Sequence, residues 1–323
     1  MEKIRIAING FGRIGRMTAR AMLRKNNFEI VAINDLTDTT TLAHLFKYDS
    51  IHGRYSGTVS HKDKEIIIDG KSIKVFSEKD PSALPWSSLK IDVVLESTGR
   101  FTDSAKAGAH IKAGAKKVII TAPMKSSGSE ESKTIVLGVN DDIISGDETI
   151  VSNASCTTNN AAPMIKILDE VFGIESAFVT TIHAYTGDQN IHDAPHKDLR
   201  RARAAAMSII PTTTGAAKAL TDVFPHLDGK IGGAGIRVPV ACGSMTDITC
   251  VLKRNADVKE INDAFRKESQ SAMKNILEYT EDPIVSADIV GSPYSCIFDA
   301  QLTSSLGKVV KVVGWYDNET GYS

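Results

Sequence analysis

The sequence predicts an α/β protein: a parallel sheet flanked by helices in the first half, and a second α+β domain with a mainly antiparallel sheet. Three observations predict it. At 323 residues the chain is longer than one hydrophobic core usually fills, so two domains are expected. Up to about residue 155, short apolar runs alternate with helical patterns, the order that builds parallel sheets. Beyond it, long strand-like runs follow one another with few helices between them, which favours antiparallel pairing.

The elements are read in order. Residues 3–9 form an apolar, β-branched run that stops at the glycines of 10–15, and small or apolar residues at 14, 17, 18, 21 and 22 then mark a helix. A second strand at 29–34 ends at Asp35. Further buried strands are predicted at 92–97, 116–121 and 148–153, a helix at 103–114 and a hairpin at Asp69-Gly70. The Ser/Glu/Lys cluster at 125–133 reads as a surface loop. Past Cys156, Met164, Ile167, Leu168 and Val171 keep helical spacing and Gly173 closes a helix at 164–172, while Pro163 leaves its start open. Strand-like runs follow at 175–183, 236–253 and 307–316. A helix at 257–273 opens with Asp257 and, three residues on, Glu260, as in a capping box. The domains expected are 1–155, 156–318, and a C-terminal segment starting at 319–323.

Composition narrows the function classes. A formal net charge of −1 gives no reason to expect nucleic acid or a membrane surface as partner. No stretch approaches a membrane span, and the N-terminus carries no signal-type apolar core. Four cysteines at 156, 242, 250 and 296 have spacings unlike a disulfide framework, which fits a reduced, cytoplasmic protein. His192 and His196 are spaced like metal ligands, but Pro195 lies between them and no further ligand completes a set, so no metal is expected.

Two features carry chemistry. Gly10, Gly12 and Gly15 form a GxGxxG turn between a strand and a helix, and Asp35 stands at the end of the next strand. Such glycines let a pyrophosphate approach a helix N-terminus, and an aspartate there accepts the ribose hydroxyls but opposes a 2′-phosphate. NAD is the expected cofactor. The second feature is Cys156, among small hydroxyl residues where a strand should hand over to a helix. It is either a nucleophile favoured by the helix dipole or an inert buried thiol. A thiolate beside a nicotinamide can add to an aldehyde and form a tetrahedral species that gives up hydride. Of eight histidines, His183 at the end of a predicted strand is best placed as the base. Thr214 and Gly215 could bind an oxyanion or cap a helix; Arg237, inside an apolar run, could meet an anionic substrate or an internal partner. The basic run at 196–203 could hold phosphate or be a solvated face.

Taken together, INGFGRIGR at 8–16, SNASCTTNN at 152–160, HAYTGDQ at 183–189, HKDLRRARAAA at 196–206, IPTTTGAAKA at 210–219, RVP at 237–239 and WYDNETGYS at 315–323 resemble the phosphorylating glyceraldehyde-3-phosphate dehydrogenases of bacterial, glycolytic type. The match spans essentially the whole chain. The resemblance implies a Rossmann NAD-binding domain, a catalytic domain and a homotetramer acting on glyceraldehyde 3-phosphate and inorganic phosphate. It makes Cys156 the nucleophile and His183 its base. It places Thr186, Asp188 and Arg237 at the substrate phosphate, and Ser155, Thr157, Thr214, Gly215 and Arg201 where inorganic phosphate enters. Arg13 and Ile14 match backbone contacts to the cofactor, Lys79 a residue near its adenine, Thr121 one near the nicotinamide, and Asn318 the residue that orients the carboxamide. Leu36 and Pro195 resemble the NAD-preferring pattern.

The sequence departs from the family at Asn160, where many members carry a second cysteine, and at Lys79, where arginine is common. It stops at Ser323, where the family continues into a C-terminal helix; without that helix, an exposed docking surface and a weaker fold are expected. The rivals are an erythrose-4-phosphate dehydrogenase, an NADP-preferring aspartate-semialdehyde dehydrogenase, which Asp35 disfavours, and a non-catalytic binding protein. The thiolate is expected to depend chiefly on His183.

Overall fold

The computed structural model describes residues 2–125 and 132–323. The chain divides into two compact units, one made of Met1–Ile135, Ile143–Ala154 and Ser323, the other of Val136–Asp142 and Ser155–Tyr322.

In the first unit the strands are β1 (Ile4–Asn9), β2 (Phe28–Asn34), β3 (Val59–Lys62), β4 (Glu65–Ile68), β5 (Lys71–Phe76), β6 (Val93–Glu96), β7 (Lys117–Ile120), β8 (Ser132–Thr134) and β9 (Ile150–Ser152). The helices are α1 (Arg13–Leu23), α2 (Thr39–Lys47) and α3 (Ser104–Lys112). Among the described residues the sheet runs β3-β4-β5-β2-β1-β6-β7-β9-β8. All pairs are parallel except the two that join β3, β4 and β5. A parallel sheet needs cover on both faces. The alternation in β1 supplies it: Ile6 and Ile8 pack into one core with Phe11, Ala19 and Phe46, while Ala7 faces another core with Trp86, Val94 and Ala107. Asp69 and Gly70 both take positive φ, 49° and 77°, as a two-residue turn between antiparallel strands requires.

In the second unit the helices are α4 (Cys156–Phe172), α5 (Ala216–Val223) and α6 (Val258–Gln270). The strands are β10 (Ile174–Ala184), β11 (Ile210–Thr212), β12 (Ile231–Val238), β13 (Ser244–Leu252), β14 (Leu277–Thr280), β15 (Cys296–Asp299), β16 (Ser304–Leu306) and β17 (Val309–Tyr316). They pair in the order β11-β12-β10-β13-β17-β15-β14, with β16 on β17. Among the described residues only β10–β12 and β14–β15 are parallel in this sheet. The capping box at Asp257 and Glu260 opens α6 as the sequence predicts.

Three element expectations are corrected. The helix predicted at 164–172 begins eight residues earlier, at Cys156, and carries Pro163 inside it. One missing N–H is outweighed by burial around it, since Ala161, Ala162, Met164, Ile165, Ile167 and Leu168 are all buried. The run 236–253 is two strands, because the chain breaks between Val238 and Ser244, where Pro239 cannot continue the ladder and Gly243 takes φ 93°. Of the loop predicted at 125–133, residues 126–131 lie outside the described residues and Ser132–Thr134 is an edge strand. No helix among the described residues is long and apolar enough to cross a membrane.

Candidate active site

The first unit holds a cleft of about 530 Å³ at the C-terminal ends of β1 and β2, within the range of small-molecule sites. Gly10 ends β1 at φ 92°, and a Cβ there would lie 2.7 Å from the Thr98 nitrogen. Gly15 packs α1 onto the turn so closely that a Cβ would lie 2.2 Å from the Gly10 oxygen. Gly12 differs: it is the N-cap of α1, it lines the cleft, and a Cβ there would meet nothing within 4 Å. The open space stands where first-turn N–H groups and the positive helix end would face an anion.

Asp35 is locked beside this turn, its Oδ2 accepting the Phe11 N–H at 2.8 Å and its Oδ1 the Thr37 N–H at 3.0 Å. Both oxygens keep lone pairs for ribose hydroxyls. Ser97 also lines the cleft, and its buried hydroxyl has no hydrogen-bond partner among the described residues. The residues present therefore fit a dinucleotide: a cradle at Gly12, an acceptor at Asp35 and an orphan hydroxyl at Ser97. Lys79 lines the cleft, together with Arg100, which the sequence reading did not single out. Arg13 and Ile14 open α1, but the Arg13 guanidinium is spent on Asp49, at 2.5 and 3.2 Å. Thr121 is not among the cleft's lining residues; its hydroxyl donates to the Glu96 carbonyl at 3.2 Å.

The second unit holds the thiol. Ser155 caps α4, its hydroxyl accepting the Thr158 N–H at 3.0 Å, so Cys156 is the first helical residue. The preceding Ala154 takes φ 53°, a left-handed conformation that a non-glycine residue rarely adopts. The Cys156 Sγ lies 3.4 Å from His183 Nε2. His183 Nδ1 lies 2.7 Å from the Ala184 carbonyl and 3.2 Å from Arg237 Nη1; the shorter contact, to a carbonyl that can only accept, assigns the proton to Nδ1 and leaves Nε2 as the acceptor facing the thiol. Sheet register does the rest, placing His183 opposite Arg237 on the parallel pair β10–β12.

Arg237 donates from Nη1 to the Thr186 hydroxyl at 2.7 Å and the Ala184 carbonyl at 3.0 Å. The Thr186 hydroxyl donates to Asp188, whose other oxygen accepts Arg201 Nη1 at 2.5 Å. Arg201 Nε donates to Thr212, and Thr212 in turn to Asp198, each at 2.9 Å. The residues predicted at 183, 186, 188, 201 and 237 thus form one bonded chain. Thr214 and Gly215 stand apart from it at the start of α5, with the Thr214 hydroxyl accepting the Ala216 N–H at 3.2 Å. Thr157 turns inward, its hydroxyl 2.9 Å from that of Tyr316. Asn318 is buried, its Oδ1 accepting the Ser244 hydroxyl at 2.9 Å and the Gly243 N–H at 3.2 Å, which fixes the amide's orientation.

Burial dominates the electrostatics. It pushes the Cys156 thiol up, against the Thr157 N–H and the Arg237 charge. Burial, and then the Arg237 charge, pushes His183 down to about 4. Both shifts disfavour the charged forms of the pair. His183 Nε2 is placed to take the thiol proton, and the helix N-terminus stands where the charge will develop. Asp188, although burial pushes upward, is held below the usual carboxylate range by Thr186, Arg237 and Arg201.

Sequence reasoning missed Tyr316. Its buried hydroxyl bridges Thr157 and Thr181, at 2.9 Å each, and its ring packs edge-on to His183 with centroids 5.9 Å apart. Its place beside Asp317 and Asn318 in one motif was the available signal.

Comparison with known proteins agrees with this geometry. Residues 4–104 match the glyceraldehyde 3-phosphate dehydrogenase NAD binding domain, and residues 155–318 the C-terminal domain of the same family. The chain is 56% identical over 323 residues to glyceraldehyde-3-phosphate dehydrogenase 2 of Streptomyces avermitilis, covering 99% of this chain and 95% of that protein. It is 54% identical over 325 residues to the glyceraldehyde-3-phosphate dehydrogenase of Clostridium pasteurianum, with the same coverage. With both domains matched and the relatives aligned over nearly their full length, the chain belongs to the glyceraldehyde-3-phosphate dehydrogenase family of NAD-dependent oxidoreductases.

Proposed function

We propose that the chain oxidises glyceraldehyde 3-phosphate to 1,3-bisphosphoglycerate with NAD and inorganic phosphate, through a thiohemiacetal and a thioester on Cys156. The observation that carries it is the Cys156 Sγ held 3.4 Å from the acceptor nitrogen of His183, beside two arginines. As Sγ bonds to the aldehyde carbon, its proton passes to His183 Nε2 and returns to the new oxyanion. Bound NAD supplies the hydride acceptor. His183 takes the hydroxyl proton as that carbon is oxidised, leaving the thioester. A phosphate oxygen then bonds to the acyl carbon, the C–S bond breaks, and the thiolate recovers its proton from His183. The Cys156 N–H and the imidazolium are the oxyanion donors.

Arg237 and Thr186 hold the substrate phosphate, and Arg201 with the hydroxyls of Ser155 and Thr214 receives inorganic phosphate. Asp188 repels phosphate, so its part is to orient Thr186 and the two guanidinium groups. We assign Asp35, Arg13, Ile14, Lys79, Thr121 and Asn318 to the cofactor. We further propose a cytoplasmic homotetramer. The exposed Ile191, Leu199, Met207 and Ile209 support assembly, and the unpaired cysteines a reducing compartment.

The test is NADH formation from glyceraldehyde 3-phosphate with and without inorganic phosphate. Strict phosphate dependence is expected. NADH formation from erythrose 4-phosphate that is indifferent to phosphate would overturn the assignment.

A further inference from the structure

One fully buried acid lies beneath the cofactor cleft. Glu96 ends β6 at 1% exposure. Its Oε1 accepts the Thr98 N–H at 2.9 Å and also the Thr98 hydroxyl. Its Oε2 accepts Asn9 Nδ2 at 2.5 Å and His110 Nε2 at 3.0 Å. Every contact can donate, a set that a carboxylate, which only accepts, satisfies in full. His110, itself fully buried, is fixed from behind, because the Trp86 indole donates to its Nδ1 at 3.0 Å. The ring proton therefore sits on Nε2, aimed at Glu96.

The bonds continue on the other side. Asn9 Oδ1 accepts Asn34 Nδ2 at 2.7 Å. Asn34 in turn clamps the Glu78 backbone, accepting its N–H at 2.8 Å and donating to its carbonyl at 2.9 Å. Asn9, Asn34, Glu78 and Thr98 all line the cleft. One carboxylate thus ties together the ends of β1, β2 and β6 and two of the loops that shape the cavity. A buried charge is costly unless fully paired, so the bracing by His110 and Trp86 is what lets Glu96 serve there.

We propose that Glu96, braced by His110, is a positioning residue for NAD: it sets Asn9 and Thr98 and so fixes the cleft that receives the cofactor. Glu96→Gln keeps the shape and breaks the logic. With its oxygen on Thr98, the new amide turns an NH2 toward Asn9 Nδ2, donor against donor. Flipping Asn9 only moves the clash to Asn34, and from there to Glu78.

With the cleft read as the NAD site, on which this assignment rests, the test is equilibrium NAD binding together with steady-state kinetics. Glu96→Gln should raise the NAD Kd and KM about tenfold or more, the loss expected from mispaired charged hydrogen bonds. Its kcat at saturating NAD should stay within about twofold and its aldehyde KM should not move. A folded Glu96→Gln protein with unaltered NAD Kd, or with lower kcat at unaltered NAD KM, would overturn the assignment. Should Glu96→Gln not fold, His110→Leu keeps the carboxylate and removes its brace; a raised NAD Kd is again expected, and an unaltered one overturns it. Failure of the unaltered chain to bind NAD would overturn the cofactor reading itself.

Discussion

The cofactor cleft of the first unit is built from backbone, and the thiol site of the second from side chains. Gly10, Gly12 and Gly15 act by what they lack, each leaving room for a close approach, and Asp35 is held by two main-chain N–H groups. Cys156, His183, Arg237 and Tyr316 come instead from a helix end and three strands, and their chemistry depends on side-chain distances and burial. The glycine turn itself needs no charge, the buried Glu96 lying beneath the cleft. The thiol site sets a buried imidazole against a partly buried thiol and guanidinium, and the result is a pair poised for proton transfer.

The largest effect should come from the side-chain site. His183→Asn should lower kcat by about a thousandfold, the loss of a positioned base. Because the ring is pushed down to about 4, it is a competent base above that pH and loses its lone pair to a proton as pH falls through it. The unaltered enzyme should show this acid limb in its pH–rate profile, and the variant should lack it. An unchanged limb in His183→Asn would assign that titration elsewhere.

The glycines separate fold from function within the backbone site. Gly15→Ala forces a Cβ to 2.2 Å from a carbonyl oxygen and should destabilise the ligand-free chain by about 2–3 kcal/mol. Gly12→Ala meets no neighbour, so it should cost the ligand-free chain less than about 1 kcal/mol yet weaken NAD binding about tenfold. Thermal melts with and without NAD distinguish the two. Equal behaviour of both variants would refute a division of labour among these glycines.

An effect on stability alone, with no bearing on the cofactor, concerns the charge that anchors α1. Burial pushes Asp49 up, but Arg13 and the His52 and Ile51 N–H groups prevail and hold it at about 2. A depressed carboxyl stabilises the fold above its unfolded value near 4, and that contribution is lost as pH falls toward about 2. Asp49→Asn should therefore cost about 1–2 kcal/mol at pH 7 and almost nothing near pH 2, read from denaturant unfolding at both pH values. A deficit independent of pH would mean that packing, not charge, is lost.

Much of the cleft was legible because its instructions are local. A strand, three glycines, a helix and an acidic residue occupy positions 4 to 35, and each constrains its neighbours through backbone geometry alone. Cys156 and His183 could be named as candidates from their places in the pattern, but their roles and those of the phosphate motifs came only through a family resemblance. Their arrangement depends on the register of β10 with β12, and no stretch of sequence states which residue of one strand faces which of another. The start of α4 was hidden for a similar reason: Pro163 signals a break locally, and only burial of the surrounding residues overrides it.

By itself the sequence determined the alternation of elements, the dinucleotide turn, the candidate thiol and its candidate base, since period, glycine and residue type are carried along the chain. Tertiary structure alone decided the burial that shifts that pair away from its charged forms, the inward turn of Thr157 onto Tyr316, and the carboxylate of Glu96 beneath the cleft. Each of these is a matter of burial and of partners remote in sequence, and dielectric surroundings and hydrogen-bond geometry exist only once the chain has folded.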